Sequence, residues 1–227
     1  MGNNIEVIFA VYKRWDRIEA IMKQLREQTI DNFNVSIWNN SGKTLKIDFP
    51  EKRLLVFNSP KNVGTGDRWA LVKRTQGDPI ICLDDDEELA PDFVEYHFKE
   101  YLKWGDKCVL GWYSKLLNPE GYRGELAIEL PYGTEVDYIG GGGSVRGRSL
   151  FEAEPRLIES DFYQRHTHAD DLWHSYLARL RGYKLISIEP KCRVLPELDN
   201  ENKKYKQQKE QAFQELRRVG WKMLCEL

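Results

Sequence analysis

Apolar positions along this chain change period repeatedly, and each change marks an element. Residues 5–12, Ile-Glu-Val-Ile-Phe-Ala-Val-Tyr, are rich in β-branched and aromatic side chains and predict a first strand. Trp15, Ile18, Ile21, Met22 and Leu25 then recur at helical spacing, which predicts an amphipathic helix packed on a sheet. Strands are expected over residues 33–38 and 53–58, with a turn at Asn39-Asn40-Ser41-Gly42 by residue type. A polar, glycine-containing loop over residues 58–66 leads into a helix expected over residues 67–74. Ile80-Ile81-Cys82-Leu83, behind Gly77-Asp78-Pro79, reads as a short buried strand. Strands alternating with helices predict an α/β fold with a mostly parallel central sheet flanked by helices.

The second half is less regular. A helix is expected over residues 93–104, strands over 108–113 and 136–139, and loops or a hairpin over 118–133, where turn residues gather. Gly140-Gly141-Gly142-Gly143-Ser144 follows. Four glycines allow backbone N–H groups to approach a ligand closely. A flexible linker is the alternative, but the residues beyond still resemble parts of one fold, so a tight loop under a substrate is preferred. Asp170 and Asp171 open a helix whose stripe is Leu172, Trp173, Tyr176, Leu177 and Leu180, with Gly182 as its stop. Acids there are favoured by the helix dipole whatever the protein does. Residues 184–188 predict a last strand. Residues 202–218 form a polar helix with a thin stripe of Tyr205, Ala212, Phe213, Leu216 and Val219, which reads as a surface helix and could also close over a cleft or dock another domain.

The chemistry concentrates at Asp84-Asp85-Asp86-Glu87-Glu88, where the buried strand leaves the sheet. Alternation along a strand lets Asp84 and Asp86 project one way and Asp85 another. Two hard oxygen donors on one side suit Mg²⁺ or Mn²⁺ completed by water and substrate phosphates. A solvated acidic loop is the plainer alternative, and the buried strand in front argues against it. An EF-hand loop is excluded by Leu89 where its sixth-position glycine would stand. A phosphatase nucleophile has no other support. Pro91 is expected to open the next helix. In open sheets ligands bind beyond the carboxyl ends of the strands, so Tyr12, Asn39, Asn40, the loop of residues 62–66 and Asp84 to Asp86 should converge.

Composition narrows the classes. With 227 residues, 41% hydrophobic and 31% charged, the chain is long enough for one domain with a real core. A net charge of −2 gives no electrostatic footprint for nucleic acid. No signal-peptide pattern or membrane-length apolar run occurs, and Glu6 in sixth place makes Met1-Gly2 a poor myristoylation match, so a soluble, cytoplasmic protein is expected. Cys82, Cys108, Cys192 and Cys225 form no CxxC pair, which predicts reduced thiols and no structural zinc.

Several motifs fall in a telling order. Ala10-Val11-Tyr12-Lys13-Arg14 resembles a first-strand exit usually written Pro-Thr-Tyr-Asn-Arg, and Gln28-Thr29 ends the first helix in a familiar way. Asn39-Asn40-Ser41 stands where an acid and Ser are common; Asn62-Val63-Gly64 with Arg68 resembles an Asn-x-Gly loop and its Arg. Leu83-Asp84-Asp85-Asp86 with Pro91-Asp92-Phe93 resembles a DxD motif and its downstream Pro-Asp, and Asp170-Asp171 a Glu-Asp catalytic pair. Together they resemble the family 2-like glycosyltransferases with a GT-A fold. The resemblance implies a single Rossmann-like domain over residues 1–190, with a nucleotide-binding half to about residue 90, an acceptor half beyond it, and residues 191–227 as a C-terminal helical extension of the same domain.

It also implies roles. Ala10, Tyr12, Asn39 and Arg68 would contact the nucleotide base and Asp84 the ribose or sugar, while Arg14, Asn40, Asn62, Asp85, Gly141 and Gly142 complete the donor site. Asp86, with Asp84, would hold Mn²⁺ or Mg²⁺. Asp171, with Asp170 as second choice, would be the general base of an inverting transfer from a nucleotide-sugar donor, UDP-linked by preference, to a hydroxyl of a glycan, glycoprotein or glycolipid. The Gln-x-x-Arg-Trp motif of processive synthases is absent after Asp171, which favours single transfers. The alternatives are a sugar-nucleotide pyrophosphorylase, whose Gly-rich stretch with Arg and Lys is missing from residues 9–14, and a non-catalytic nucleotide-sugar or glycan-binding domain. One of His166, His168 and His174 could complete the metal shell, and Trp112, Tyr113 or Trp173 could stack on an acceptor sugar; core or exposed positions are the plainer readings for all of them.

Overall fold

The computed structural model describes residues 4–122, 127–128, 130–195 and 200–227. Its strands are β1 (Ile5–Val11), β2 (Phe33–Asn39), β3 (Leu54–Asn58), β4 (Ile80–Cys82), β5 (Glu87–Leu89), β6 (Cys108–Gly111), β7 (Ser114–Leu116), β8 (Ala127–Ile128), β9 (Tyr138–Ile139), β10 (Ser144–Arg146), β11 (Lys184–Ser187) and β12 (Cys192–Val194). The helices are α1 (Trp15–Arg26), α2 (Phe93–Trp104), α3 (Arg148–Ala153), α4 (Asp161–Arg165), α5 (Asp170–Leu180) and α6 (Asn200–Arg218).

Seven strands form the central sheet in the order β11-β6-β10-β4-β1-β2-β3. Only β10 runs against the others, pairing antiparallel with both β4 and β6. That reversal places the start of β10 beside the carboxyl ends of its neighbours, with Ser144 opposite Cys82 and Gly111. The glycines before Ser144 are thereby delivered to the same end of the sheet as the acidic run. The pleat divides the core: Val7, Phe9 and Val11 pack with α1 and α2, whereas Ile8 packs toward the layer built from α3 to α6. Ala212, Phe213 and Leu216 of α6, with Trp221 and Met223, are buried in that second layer together with Leu172 and Leu177 of α5.

Some local expectations change. Gly66–Arg74 is a 3₁₀ helix rather than an α-helix, which lets buried Arg68, Trp69, Leu71 and Val72 turn inward within a short span. The helix after the acidic run begins at Phe93, with Asp92 as its N-cap residue, so Pro91 lies in the turn before it. β7 pairs with β8 and β9, a small three-stranded sheet, though residues 123–126 and 129 of that expected hairpin lie outside the described residues, as do Met1 to Asn3. Cys82, Cys108 and Cys192 are buried free thiols and Cys225 is exposed. Among the described residues no helix is long and apolar enough to cross a membrane.

His174, on α5, is fully enclosed. Arg146 Nη1 lies 2.8 Å from its Nδ1, and a guanidinium only donates, so Nδ1 accepts and Nε2–H points to Tyr163 Oη at 2.8 Å and Leu157 O at 3.1 Å. Burial, then Arg146, holds this imidazole neutral to a pH well below its usual value of 6.5. Below 6.5 the unfolded chain therefore binds a proton that the folded chain refuses, and stability is lost as pH falls. Between pH 6.5 and 5 the wild type is expected to lose about 1 kcal/mol per pH unit more than His174→Gln. Parallel slopes in urea titrations of the two proteins would contradict the neutral state of the buried imidazole.

Candidate active site

The carboxyl ends of β1, β2 and β4 open onto one cleft, lined among others by Ala10, Tyr12, Arg14, Asn40, Asn62, Arg68, Asp84, Asp85, Asp86, Gly141, Asp170 and Asp171. Its rim on the β2 side is a set of local hydrogen bonds. Asn40 accepts from Val63 N at 3.2 Å and donates to Gly64 O at 2.7 Å, while Asn62 Oδ1 caps Gly64 N at 3.0 Å. A side-chain amide can bond backbone donors and acceptors at once, which explains asparagine at both positions. Asn39 has a different role. Its side chain turns to Lys43 O and Asn58 Oδ1, 2.5 and 2.7 Å away, and it does not line the cleft. It is buried on the last pair of β2 and fastens the following turn to β3.

The acidic run leaves β4 as a turn, so strict alternation does not apply to it. Asp84, Asp85 and Asp86 all line the cleft, as the expected convergence had it, although strand alternation alone would have turned Asp85 another way. Asp85 binds the Arg14 guanidinium and accepts from Tyr12 N at 3.2 Å, which pins the exit of β1. Arg14 also lies 3.3 Å from Asp86. Burial, then the charge of Asp84, pushes the Asp86 carboxyl up to about 7, and the same two causes push Glu87 to about 8. Glu87 is a support behind the cleft: it accepts Asp84 N at 2.9 Å and the Cys192 thiol at 3.3 Å.

Arg68 is the hub. It is 3% exposed, its Nη1 binds Asp84, and its Nη2 lies 3.1 Å from Asp170. Asp170 also accepts from Thr65 Oγ1 at 2.6 Å and Trp69 Nε1 at 2.9 Å. Burial alone would raise the Asp170 carboxyl, but Arg68 and these two hydrogen bonds outweigh it and hold the group well below the usual carboxylate range. Both Asp170 oxygens are thus engaged inside the protein, and the residue joins α5 to the 3₁₀ helix.

The glycine loop fits around this hub. A Cβ on Gly141 would stand 2.2 Å from Arg68 Nη2, and one on Gly142 would stand 2.4 Å from Glu87 Oε1 and 2.8 Å from Asp84 Oδ2. The loop is glycine because charged side chains occupy the space where its own would be. Gly141 lines the cleft; Gly142 lines an adjoining hollow with Trp112, Tyr113, Tyr138 and Asp171. Trp173 lies elsewhere, stacked on Phe162 with its Nε1–H donated to Arg156 O.

Asp171 lines both the cleft and the hollow. Its Oδ2 accepts from the Tyr138 hydroxyl and from Lys209 Nζ at 2.6 Å, and its Oδ1 from Leu172 N at 2.8 Å. Lys209 belongs to α6, as does Tyr205, which stacks on His168 with ring centroids 3.7 Å apart and also lines the cleft. Of the three histidines only His168 reaches the cleft; His166 meets Glu215 at 2.8 Å.

Tyr138, Lys209, Tyr205 and Trp69 are site residues that the sequence reading missed, whereas Thr65 lies in the loop expected at the cleft. A signal existed for Lys209: with Ala212, Phe213 and Leu216 it completes an i, i+3, i+4, i+7 stripe, so a lysine lies on the apolar face of its helix.

The donor set can be tested against a divalent ion from the residues alone. Asp84 keeps one oxygen free of Arg68 and its side chain is 40% exposed, while Asp86 is a mostly buried acid raised by its acidic neighbour. Among the described residues no group of three or more His, Cys, Asp or Glu is arranged to hold a metal. Two carboxylates without a closed shell fit Mg²⁺ or Mn²⁺ that keeps water and takes substrate phosphate oxygens.

A family model described as Glycosyl transferase family 2 matches residues 6–141. YwdF of Bacillus subtilis strain 168, an uncharacterised glycosyltransferase, is 30% identical over 100 residues, which cover 42% of this chain and 37% of that protein. Residues 1–349 of S. aureus TarS, crystallised with UDP, superpose with a TM-score of 0.58 at 17% identity, over 83% of this chain and 59% of that one. The mannosyltransferase PcManGT from Pyrobaculum calidifontis, in complex with GDP-Man and Mn²⁺, gives a TM-score of 0.61 at 16% identity, over 86% and 58%. The chain thus spans well under two thirds of the length of each.

Proposed function

This chain belongs to glycosyl transferase family 2 and has the GT-A fold of a nucleotide-sugar transferase, and from that premise we propose that it moves one sugar from a UDP-linked donor to an acceptor hydroxyl with inversion. The observation that carries the reading is the meeting of two sets of residues in one cleft: Ala10, Tyr12, Asn40, Asn62, Arg68 and Asp84 to Asp86 from the sheet ends, and Asp171 from α5. The first set suits a nucleoside diphosphate. UDP is favoured because TarS structures were obtained with UDP and with UDP-GlcNAc.

In this reading Tyr12 and the Asn40–Asn62 rim receive the base and ribose, and Gly141 lets the backbone approach the diphosphate without a side chain between them. Asp86 and Asp84 would hold Mn²⁺ or Mg²⁺, which when bound neutralises the leaving diphosphate. The acceptor enters the hollow walled by Trp112, Tyr113 and Tyr138, where its hydroxyl meets Asp171. Asp171 removes that proton as the oxygen attacks the anomeric carbon, and the sugar–phosphate bond breaks toward the nucleotide.

Calorimetric titration of UDP, GDP and CDP, each with and without Mn²⁺, tests the donor site. UDP is expected to bind most tightly, and Mn²⁺ to strengthen its binding to wild type but not to Asp86→Asn. Binding of none of the three nucleotides to folded protein would remove the reading; preference for GDP would correct the donor alone.

A further inference from the structure

Resting on Asp171 as the base, we propose that Lys209 of the C-terminal helix is a positioning residue for the transfer, fixing the Asp171 carboxylate so that one of its oxygens faces the acceptor. A carboxylate oxygen offers about two acceptor sites. On Oδ2 both are taken, by the Tyr138 hydroxyl and by Lys209 Nζ at 2.6 Å. Oδ1 takes the Leu172 N–H at 2.8 Å and retains one site. That oxygen is left to meet the acceptor hydroxyl.

Lys209 is not a surface lysine that happens to reach inward. Its side chain is 16% exposed, it shares a face with buried Ala212, Phe213 and Leu216, and Nζ lies 3.3 Å from Tyr138 Oη and 5.9 Å from the centre of the Tyr122 ring. Burial works against its charge, but the Asp171 carboxylate outweighs that, so the ammonium is retained far up the pH scale. The charged and titratable groups around the pair include Asp170 of α5 and its partner Arg68 of the 3₁₀ helix, Tyr138 of β9, Tyr113, Tyr122 and Lys115, whose Nζ lies 3.1 Å from Tyr122 Oη, and, on the shared hollow, Asp84, Asp86, Glu87 and Lys206. Lys209 Nζ is within hydrogen-bond distance of the Asp171 carboxylate.

The step balances as follows. The acceptor oxygen gives an electron pair to the anomeric carbon, its proton passes to Asp171 Oδ1, and the electron pair of the sugar–phosphate bond leaves with the nucleoside diphosphate. Asp171 then passes the proton to solvent, which restores the base.

The test is UDP release from UDP-glucose and UDP-N-acetylglucosamine with Mn²⁺, water standing in for the acceptor, with kcat and KM separated. Lys209→Met is expected to lower kcat by about 10–100-fold with little change in KM, and Lys209→Arg to recover most of it. Lys209→Gln gives the same reading as the methionine variant if that side chain does not fit between the tyrosines. Neutral variants with the wild-type kcat, or an arginine variant as slow as the neutral ones, overturn the role of Lys209. UDP release unchanged by Asp171→Asn overturns the base assignment itself, so the two failures are separable.

Discussion

Asp171→Asn is expected to reduce sugar transfer by about 10²–10⁴-fold while nucleotide affinity stays close to that of the wild type. The two halves of this expectation come from different residues. In the proposed mechanism nucleotide binding draws on the rim and the acidic turn, and proton removal on Asp171, while Asp170 is engaged by Arg68, Thr65 and Trp69. An asparagine has nearly the same outline but cannot take a proton at neutral pH. Because Lys209 loses its counter-charge in this variant, rates should be compared well below its melting temperature, with titration of UDP as the binding control. Transfer at the wild-type rate would exclude Asp171 as the base.

Arg68→Met should be the most destabilising change at the site. The guanidinium stands between two carboxylates, Asp84 and Asp170, and Asp170 is 3% exposed. Removing the cation leaves Asp170 charged and buried with only two neutral hydrogen bonds. Breaking a buried pair on one side costs about 3–5 kcal/mol, equivalent to a drop of roughly 10 °C in Tm for a chain of this size. The cost lies in the stranded charge, so Asp170→Asn added to Arg68→Met should recover part of it, and the double-mutant cycle should be strongly non-additive. A single variant melting with the wild type would show that Arg68 contributes nothing to holding α5 against the sheet.

The alternating pattern of the first ninety residues carried most of the fold, because strands buried on both faces and an amphipathic helix leave strong periodic marks: β1, α1, β2, β3 and β4 all lie within a residue or so of expectation. The acidic turn and the loop around Asn62 were legible for the same reason, standing where strands end. What was not legible depends on contacts far apart in sequence. Nothing local distinguishes Asp170 from Asp171, and only the inward turn of Trp69 and Thr65 decides which one is tied down. Asn39 and Asn40 are likewise neighbours of one type, separated by the strand pleat into a turn fastener and a cleft residue. The α6 helix and its thin apolar stripe were legible, but its polar composition reads first as a solvated surface, and the role of Lys209 on the inward face shows only once α5 lies beside it.

That α6 supplies Lys209 and Tyr205 to a cleft begun by Ala10 has a consequence during translation. The sheet strands β1 to β4 emerge from the ribosome early, whereas the wall of the cleft emerges more than a hundred residues later, on the order of ten seconds at ordinary elongation rates. Throughout that interval the nascent chain carries Arg68 and the acidic turn without the helix that closes over them. A ribosome stalled before residue 209 would hold a chain with much of its sheet in place and its cleft still unwalled, so the proposed competence for transfer arrives as a late and abrupt event in the life of each molecule.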